Sequence, residues 1–367
     1  MRAGYDAKRA FRNLSGLGGY SRTLLEDLAL YVPEVEQVLF TPGAAGGWPP
    51  PPGSRVIRRA GPGAALWRRF GLAGEARGAG VQIFHGLSNE LPAGLRRAGI
   101  RSVATVHDVI FRIHPEQYRP ADRALYHWKT RQACRDADLI LAISEATRRD
   151  LLAHYRVPED RVRVQYQAVA PPFRRMPEAA EMQEFVRKHQ LPAGFVLYVG
   201  AISPRKNLLT LLDALERMPD PPPLVIVGRG SGPYARQAAQ RLAAWPARKL
   251  HAQRLGPGPA ELPLLYRAAA LLAYPSRYEG FGLPVLEALH ADLPVLTSPQ
   301  ASMPEAGGEA AWYADPLDPD ALAHAIGQIL GDSALREARI RAGRIHRARF
   351  SPEQLARQVH AAYASLL

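Results

Sequence analysis

The spacing of short apolar runs is what most constrains how this chain folds. Residues 81–84, 102–106, 139–143, 162–166, 195–199, 224–227, 271–274 and 294–297 are brief segments dominated by apolar side chains. A strand with one face in water alternates apolar and polar residues. A strand covered on both faces does not, and that is the pattern of a parallel sheet between helix layers. Helical periodicity fills the gaps. Leu208, Leu211, Leu212 and Leu215 share one helix face, and Asn207 stands where a capping side chain belongs. Ser144 is placed to cap a helix that starts at Glu145. Leu355, Val359, Tyr363 and Leu366 repeat at helical spacing near the C-terminus. The alternation predicts an α/β fold with parallel sheets.

The pattern breaks in the middle. Residues 167–177 (QAVAPPFRRMP) are proline-rich, basic and aperiodic, and the chain is long enough for two domains. We expect a first domain over 1–172, joined by the C-terminal helix 351–367, and a second over 178–350. The tract 41–62, rich in glycine and proline, reads as a surface loop. Charge is uneven. Of the formal net charge of +13, residues 1–180 hold 27 Lys and Arg against 17 Asp and Glu, a net of +10. Such a field favours anionic partners, whether a membrane surface, a phosphorylated carrier or nucleic acid, unless it merely reflects genomic base bias. The single cysteine, Cys134, permits neither an internal disulfide nor a Cys-rich metal site. No apolar run approaches the roughly 20 residues of a membrane span. Nor does an apolar stretch follow the charged start of the chain, so a cytoplasmic protein without a signal peptide is expected.

Four motifs carry chemistry. Residues 279–287, EGFGLPVLE, follow Tyr274-Pro275-Ser276 at the end of a strand. Gly280 and Gly282 allow close backbone approach to a ligand, a helix begins near Pro284, and its N-terminus suits an anion. Glu279 and Glu287 flank that position, as suits hydrogen bonding to sugar and ribose hydroxyls. Gly200-Ala201-Ile202-Ser203-Pro204-Arg205-Lys206-Asn207 leaves the C-terminal end of another buried strand. Ligands of open α/β sheets bind at that edge, and Arg205 and Lys206 bring two phosphate-binding cations. Ser15-Gly16-Leu17-Gly18-Gly19-Tyr20 reads as a glycine turn before a helix starting near Ser21. It departs from the dinucleotide fingerprint, as does Gly228-Arg229-Gly230-Ser231-Gly232. His107-Asp108 follows the strand 102–106, where an imidazole can meet a substrate hydroxyl. His85 is a similar strand-end histidine. The D-x-D strings at 136–138 and 318–320 read as caps, and no cluster has metal-ligand spacing.

Together these motifs resemble glycosyltransferase family 4, a retaining GT-B family, and most closely its mannosyltransferase-like bacterial members. Glu279–Glu287 looks like the family's E-x7-E motif, and Gly200 through Asn207 is similar to its basic phosphate-binding segment. The glycines at 16–19, His107-Asp108 and the tail from Met303 to Asp318 also match. Asp292 departs from the glycine usual there. The resemblance implies two Rossmann-like domains facing across a cleft and a metal-independent reaction with no cofactor. It implies that Glu279 holds donor sugar hydroxyls, Glu287 the ribose, and Arg205 and Lys206 the diphosphate. Gly18 or Gly19 adds backbone donors, and His107 sits near the reacting sugar. Gly200, Gly280, Phe281, Gly282 and Leu283 complete the donor site. The expected partners are a GDP- or UDP-sugar and a glycan or lipid-linked acceptor, with peripheral contact to anionic membrane and no nucleic acid. A nucleotide-sugar hydrolase or epimerase of the same fold, or a basic nucleic-acid-binding protein, are the alternatives.

Overall fold

The computed structural model describes residues 1–13, 16–43, 47–245 and 251–367. Ser15 of the glycine motif and residues 44–46 of the proline-rich tract lie outside them. The chain divides into two compact units. One comprises Met1–Ala170 with Phe350–Leu367, the other Pro171–Arg349.

The first unit is built on seven strands, β1 (Arg2–Asp6), β2 (Glu36–Pro42), β3 (Arg55–Arg59), β4 (Ile83–Gly86), β5 (Arg101–Val106), β6 (Leu139–Ala142) and β7 (Val162–Val164). All pair in parallel, in the order β3-β2-β1-β4-β5-β6-β7. The second unit holds β8 (Val196–Val199), β9 (Leu224–Val227), β10 (Ala252–Leu255), β11 (Leu271–Tyr274), β12 (Val295–Thr297) and β13 (Ala311–Tyr313). These are also parallel, ordered β10-β9-β8-β11-β12-β13. Strand order reverses between β1 and β4 in one sheet and between β8 and β11 in the other. At such a reversal neighbouring connections leave on opposite faces, opening a crevice at the carboxyl ends of the strands.

All eight expected strands are present, with ends shifted by a residue or two. The tract 41–62 is not simply a loop, because it contains the end of β2 and all of β3. Helices cover the sheets. Leu208, Leu211, Leu212 and Leu215 are buried against Val196, Tyr198, Leu224 and Ile226 of β8 and β9. The C-terminal helix Pro352–Ala364 puts Ala356, Val359, Ala362 and Tyr363 into one core with Leu24, Leu25 and Leu28 of the helix Gly16–Tyr31. Ser144 caps its helix by accepting from the Thr147 amide at 2.9 Å. Asn207 occupies the cap position of the helix Leu208–Arg217 but does not cap it. Its backbone is left-handed (φ 60°), and its side-chain amide donates to the Pro316 carbonyl while its oxygen accepts from Thr210. Asp138 accepts from the Ser102 amide and hydroxyl, and Asp318 caps the helix Pro319–Gly331. Both D-x-D strings are therefore engaged in local structure.

The glycine motif is corrected. Gly18 and Gly19 lie inside the helix Gly16–Tyr31, not in a turn before it. A Cβ on Gly18 would sit 1.8 Å from the Asn13 carbonyl oxygen, so that residue is needed for a close backbone crossing. A Cβ on Gly19 would meet open space.

Candidate active site

In the second unit the two strongest motifs leave adjacent strands at the switch point. Gly200 directly follows β8 with φ 147°, and the Lys206 side chain packs over it at 3.3–3.6 Å from where a Cβ would be. The connection after β11 carries Pro275 to Gly282. Gly282 (φ 101°) then admits the chain to the helix Leu283–His290. The left-handed backbone suits glycine, and Met303 lies 3.2 Å from a would-be Cβ. Phe281 is buried here. Hydrogen bonds tie the connections together, from the Arg277 amide and the Ser276 hydroxyl to the Arg205 carbonyl and from the Arg205 guanidinium to the Tyr278 carbonyl.

This scaffold assembles a buried charge cluster. The Glu279 carboxylate lies 2.5 Å from Arg205 Nη1 and 2.6 Å from Lys206 Nζ, and it accepts from the Ser276 hydroxyl. Burial alone would raise its pKa. The two cations overcome that and hold it at about 2, so Glu279 is ionised at neutral pH. Burial, opposed by Glu279 and reinforced by the Arg205 charge, pulls the Lys206 ammonium down. Lys206 also donates to the Tyr274 hydroxyl, and its nitrogen lies 4.5 Å from that ring's centre. One carboxylate between two cations leaves a net positive charge beside a helix N-terminus, whose dipole adds to the field.

Glu287 is different. It is buried within that helix and accepts from the Tyr266 hydroxyl at 2.7 Å. Desolvation raises its pKa to about 7. Tyr266, Tyr274 and Ser276 position the two glutamates and Lys206. Of these, only Tyr274 and Ser276 adjoin a recognisable motif. Nothing in the sequence around Tyr266 marks it.

The remaining predicted residues, Gly18, Gly19 and His107, belong to the first unit. A cavity of about 330 Å3 opens at its own switch point, lined in part by His107, Asp108, Asn89, Glu90 and Lys129. His107 is buried, and its Nε2 meets the Leu87 carbonyl at 2.9 Å. A carbonyl only accepts, so Nε2 carries the proton and Nδ1 keeps its lone pair. Burial lowers the pKa to about 4, which leaves the ring neutral. Its edge packs on Tyr20, with ring centres 4.6 Å apart. His85, by contrast, is a structural link. It is fully buried and joins Tyr363 of the C-terminal helix at 2.6 Å to Thr105 at 2.8 Å. Among the described residues no group of three or more His, Cys, Asp or Glu is arranged to hold a metal.

Comparison with known proteins bears on the family and the fold. Residues 21–171 match the model for Glycosyltransferase Family 4, and residues 181–346 that for Glycosyl transferases group 1. The O-antigen chain mannosyltransferase B of Escherichia coli is 36% identical over 293 residues, covering 77% of this chain and 74% of that protein. A D-inositol 3-phosphate glycosyltransferase of Corynebacterium urealyticum is 35% identical over 188 residues, 48% of this chain and 44% of the other. Among solved structures, Anabaena HepE in complex with UDP-glucose superposes with a TM-score of 0.76 at 19% identity, covering 100% of both chains. WaaG, a glycosyltransferase involved in lipopolysaccharide biosynthesis, gives 0.74 at 18%, covering 98% of each chain. The carboxylate and basic motifs, the two parallel sheets and these relatives lead to one assignment: the chain belongs to the family 4 glycosyltransferases and has their two-domain α/β fold, GT-B.

Proposed function

We propose that this glycosyltransferase moves a hexose of the mannose or glucose type, with retention of configuration, from a GDP- or UDP-sugar to a glycan or lipid-linked acceptor in cell-surface polysaccharide synthesis. The observation that carries the reading is the buried, net-positive cluster of Arg205, Lys206 and Glu279 at the switch point of the second sheet. Departure of a nucleoside diphosphate builds negative charge on the β-phosphate. Fixed cations beside a helix N-terminus stabilise it without reorganising, and in many enzymes such preorganised charge accounts for most of the rate enhancement.

Glu279 then directs a carboxylate oxygen to sugar hydroxyls, and Glu287 serves the ribose. The departing phosphate takes the acceptor proton as the acceptor attacks from the same face. The acceptor belongs to the cavity of the first unit, where His107 Nδ1 accepts a hydroxyl hydrogen. Arg205 and Lys206 supply the positive charge that a divalent ion supplies elsewhere, so we expect turnover to survive a chelator. The mannosyltransferase relative supports the sugar class.

The basic first half supports a cytoplasmic enzyme that touches an anionic membrane surface. Leu66, Phe70 and Trp128 are exposed among arginines, with Arg69 stacked 4.5 Å from the Trp128 ring centre. Among the described residues no helix is long and apolar enough to cross a membrane.

The test is nucleoside diphosphate release from a panel of GDP- and UDP-sugars. Lys206→Ala should lower kcat at least about a hundredfold, as loss of one oxyanion donor does. Near-normal turnover in that variant removes the assigned role.

A further inference from the structure

We propose that Tyr20 and Thr105 are positioning residues for the His107 imidazole, and that a buried chain of hydrogen bonds ties its setting to Tyr363 on the C-terminal helix. The effect on rate rests on the transferase reading; the way the ring is held does not. All these residues belong to the first unit.

The chain of bonds is built on the sheet. Side chains alternate along a strand, so Ile83 and His85 of β4 share a face with Val103 and Thr105 of β5. Ile83 and Val103 join the core closed by the helices Gly16–Tyr31 and Pro352–Ala364. His85 and Thr105 are polar positions on that face, and both are fully buried. His85 Nδ1 meets the Tyr363 hydroxyl at 2.6 Å, and His85 Nε2 meets the Thr105 hydroxyl at 2.8 Å. Thr105 Oγ1 in turn meets the Tyr20 hydroxyl at 2.9 Å. Burial keeps His85 neutral, so one of its nitrogens donates and the other accepts. The bonds therefore run unbroken from the C-terminal helix to Tyr20. Removing the Thr105 hydroxyl leaves both a buried ring nitrogen and a buried phenol unpaired.

Tyr20 supports the His107 ring directly. The His107 backbone is fixed by Asn89, which accepts from its amide at 3.0 Å, and by Thr147, which donates to its carbonyl at 3.2 Å. The ring is held by its hydrogen bond from Nε2 to the Leu87 carbonyl. One such bond leaves a planar ring free to tilt about it. The Tyr20 ring limits that tilt, lying 4.6 Å from the imidazole centre at 86°. Edge-to-face pairs prefer this geometry, so a phenol anchored at its hydroxyl by Thr105 holds the imidazole in turn. Nδ1 is the nitrogen left to receive a hydroxyl hydrogen, and its aim follows the ring.

The test compares Thr105→Val, which removes the hydroxyl, with Thr105→Ser, which keeps it and removes the methyl. Both lose packing, but only the first breaks the chain of bonds. Should Thr105→Val not fold, Tyr20→Phe is a second break that leaves both His85 hydrogen bonds in place. Ring-nitrogen NMR signals are recorded on the histidine-labelled full chain without substrate, and those of His107 are assigned by their loss in His107→Gln. Thr105→Val and Tyr20→Phe should shift or broaden the His107 signals, and Thr105→Ser should keep them. Tyr363→Phe should move them too, whereas Val359→Ala, one turn away on the same helix and outside the chain of bonds, should not. Nucleoside diphosphate release from GDP-mannose and UDP-glucose is followed on the same variants. In Thr105→Val and Tyr20→Phe kcat should fall at least about tenfold with KM little changed, because a misaimed group slows reaction more than it weakens binding. Unmoved His107 signals, or wild-type kcat beside moved signals, in a folded Thr105→Val or Tyr20→Phe would overturn the proposal. So would an equal change in Thr105→Ser or Val359→Ala. Moved signals in a protein whose wild type releases diphosphate from neither donor would support the positioning and count against the transferase reading.

Discussion

Glu279 and Glu287 belong to one motif, yet their protons behave oppositely. Two cations hold Glu279 ionised, with a pKa near 2. Glu287 accepts from Tyr266, but burial outweighs that hydrogen bond and the pull of Lys206, and raises it to about 7. A carboxyl with a raised folded pKa binds its proton more tightly folded than unfolded. Its contribution is therefore full below the ordinary value of 4.5 and is lost as pH rises through 7. The shift corresponds to something on the order of 3 kcal/mol. The thermal midpoint of the ligand-free protein should fall between about pH 5 and 8, and Glu287→Gln should flatten that slope. An unchanged slope in the variant would show that another group titrates. Position along the chain makes both glutamates legible. Their different protonation is not, because it depends on which side chains from other elements lie against them.

At the scale of elements, most legible strands are covered on both faces, although the edge strand β7 is legible and the buried β2 is not. β3, β10 and β13 leave no such mark. Two of them are sheet edges rich in polar residues, Arg55–Arg59 and Ala252–Leu255, and the third is a three-residue edge. An edge strand in water needs no continuous apolar run. β1 escapes the sequence reading for another reason. It is central, but its five residues include Arg2, Gly4 and Asp6, which break the apolar run, and Gly4 is closely surrounded, with a would-be Cβ 3.0–3.2 Å from Val81, Phe84 and Phe40.

Asp292, the departure from the family's glycine, has a structural role. It adopts φ 54° and binds Arg344 at 2.9 Å and Arg347 at 3.2 Å, anchoring the helix Ser333–Arg347. Asp292→Gly loses these pairs but relieves the backbone, whereas Asp292→Ala loses the pairs and keeps the strain. In urea unfolding Asp292→Ala should be less stable than Asp292→Gly by about 1 kcal/mol. The C-terminal helix is held in the first unit by Tyr363 and His85. Tyr363→Phe would leave a buried ring nitrogen unpaired and should cost about 1–3 kcal/mol in the same measurement.

At the scale of the whole molecule, the charge of +13 is an association property. If the first half meets a membrane, co-sedimentation with phosphatidylglycerol vesicles should exceed that with phosphatidylcholine and fall as salt rises above about 0.15 M. The variant Leu66→Ser with Phe70→Ser should lose the part of binding that survives high salt. Equal binding to both vesicles would refute the electrostatic account.

Two things were set by sequence alone: the alternation that builds two parallel sheets, and the chemistry placed at the ends of particular strands. Both are local, since burial on two faces writes a continuous apolar run and a motif is contiguous in the chain. Tertiary structure alone decided that Arg205 and Lys206 share one carboxylate, that Gly18 lies inside a helix against the Asn13 carbonyl, and that Tyr266 reaches Glu287. Those meetings depend on strand order and on the crossing of connections, so residues far apart in the chain become neighbours only after the sheets have formed.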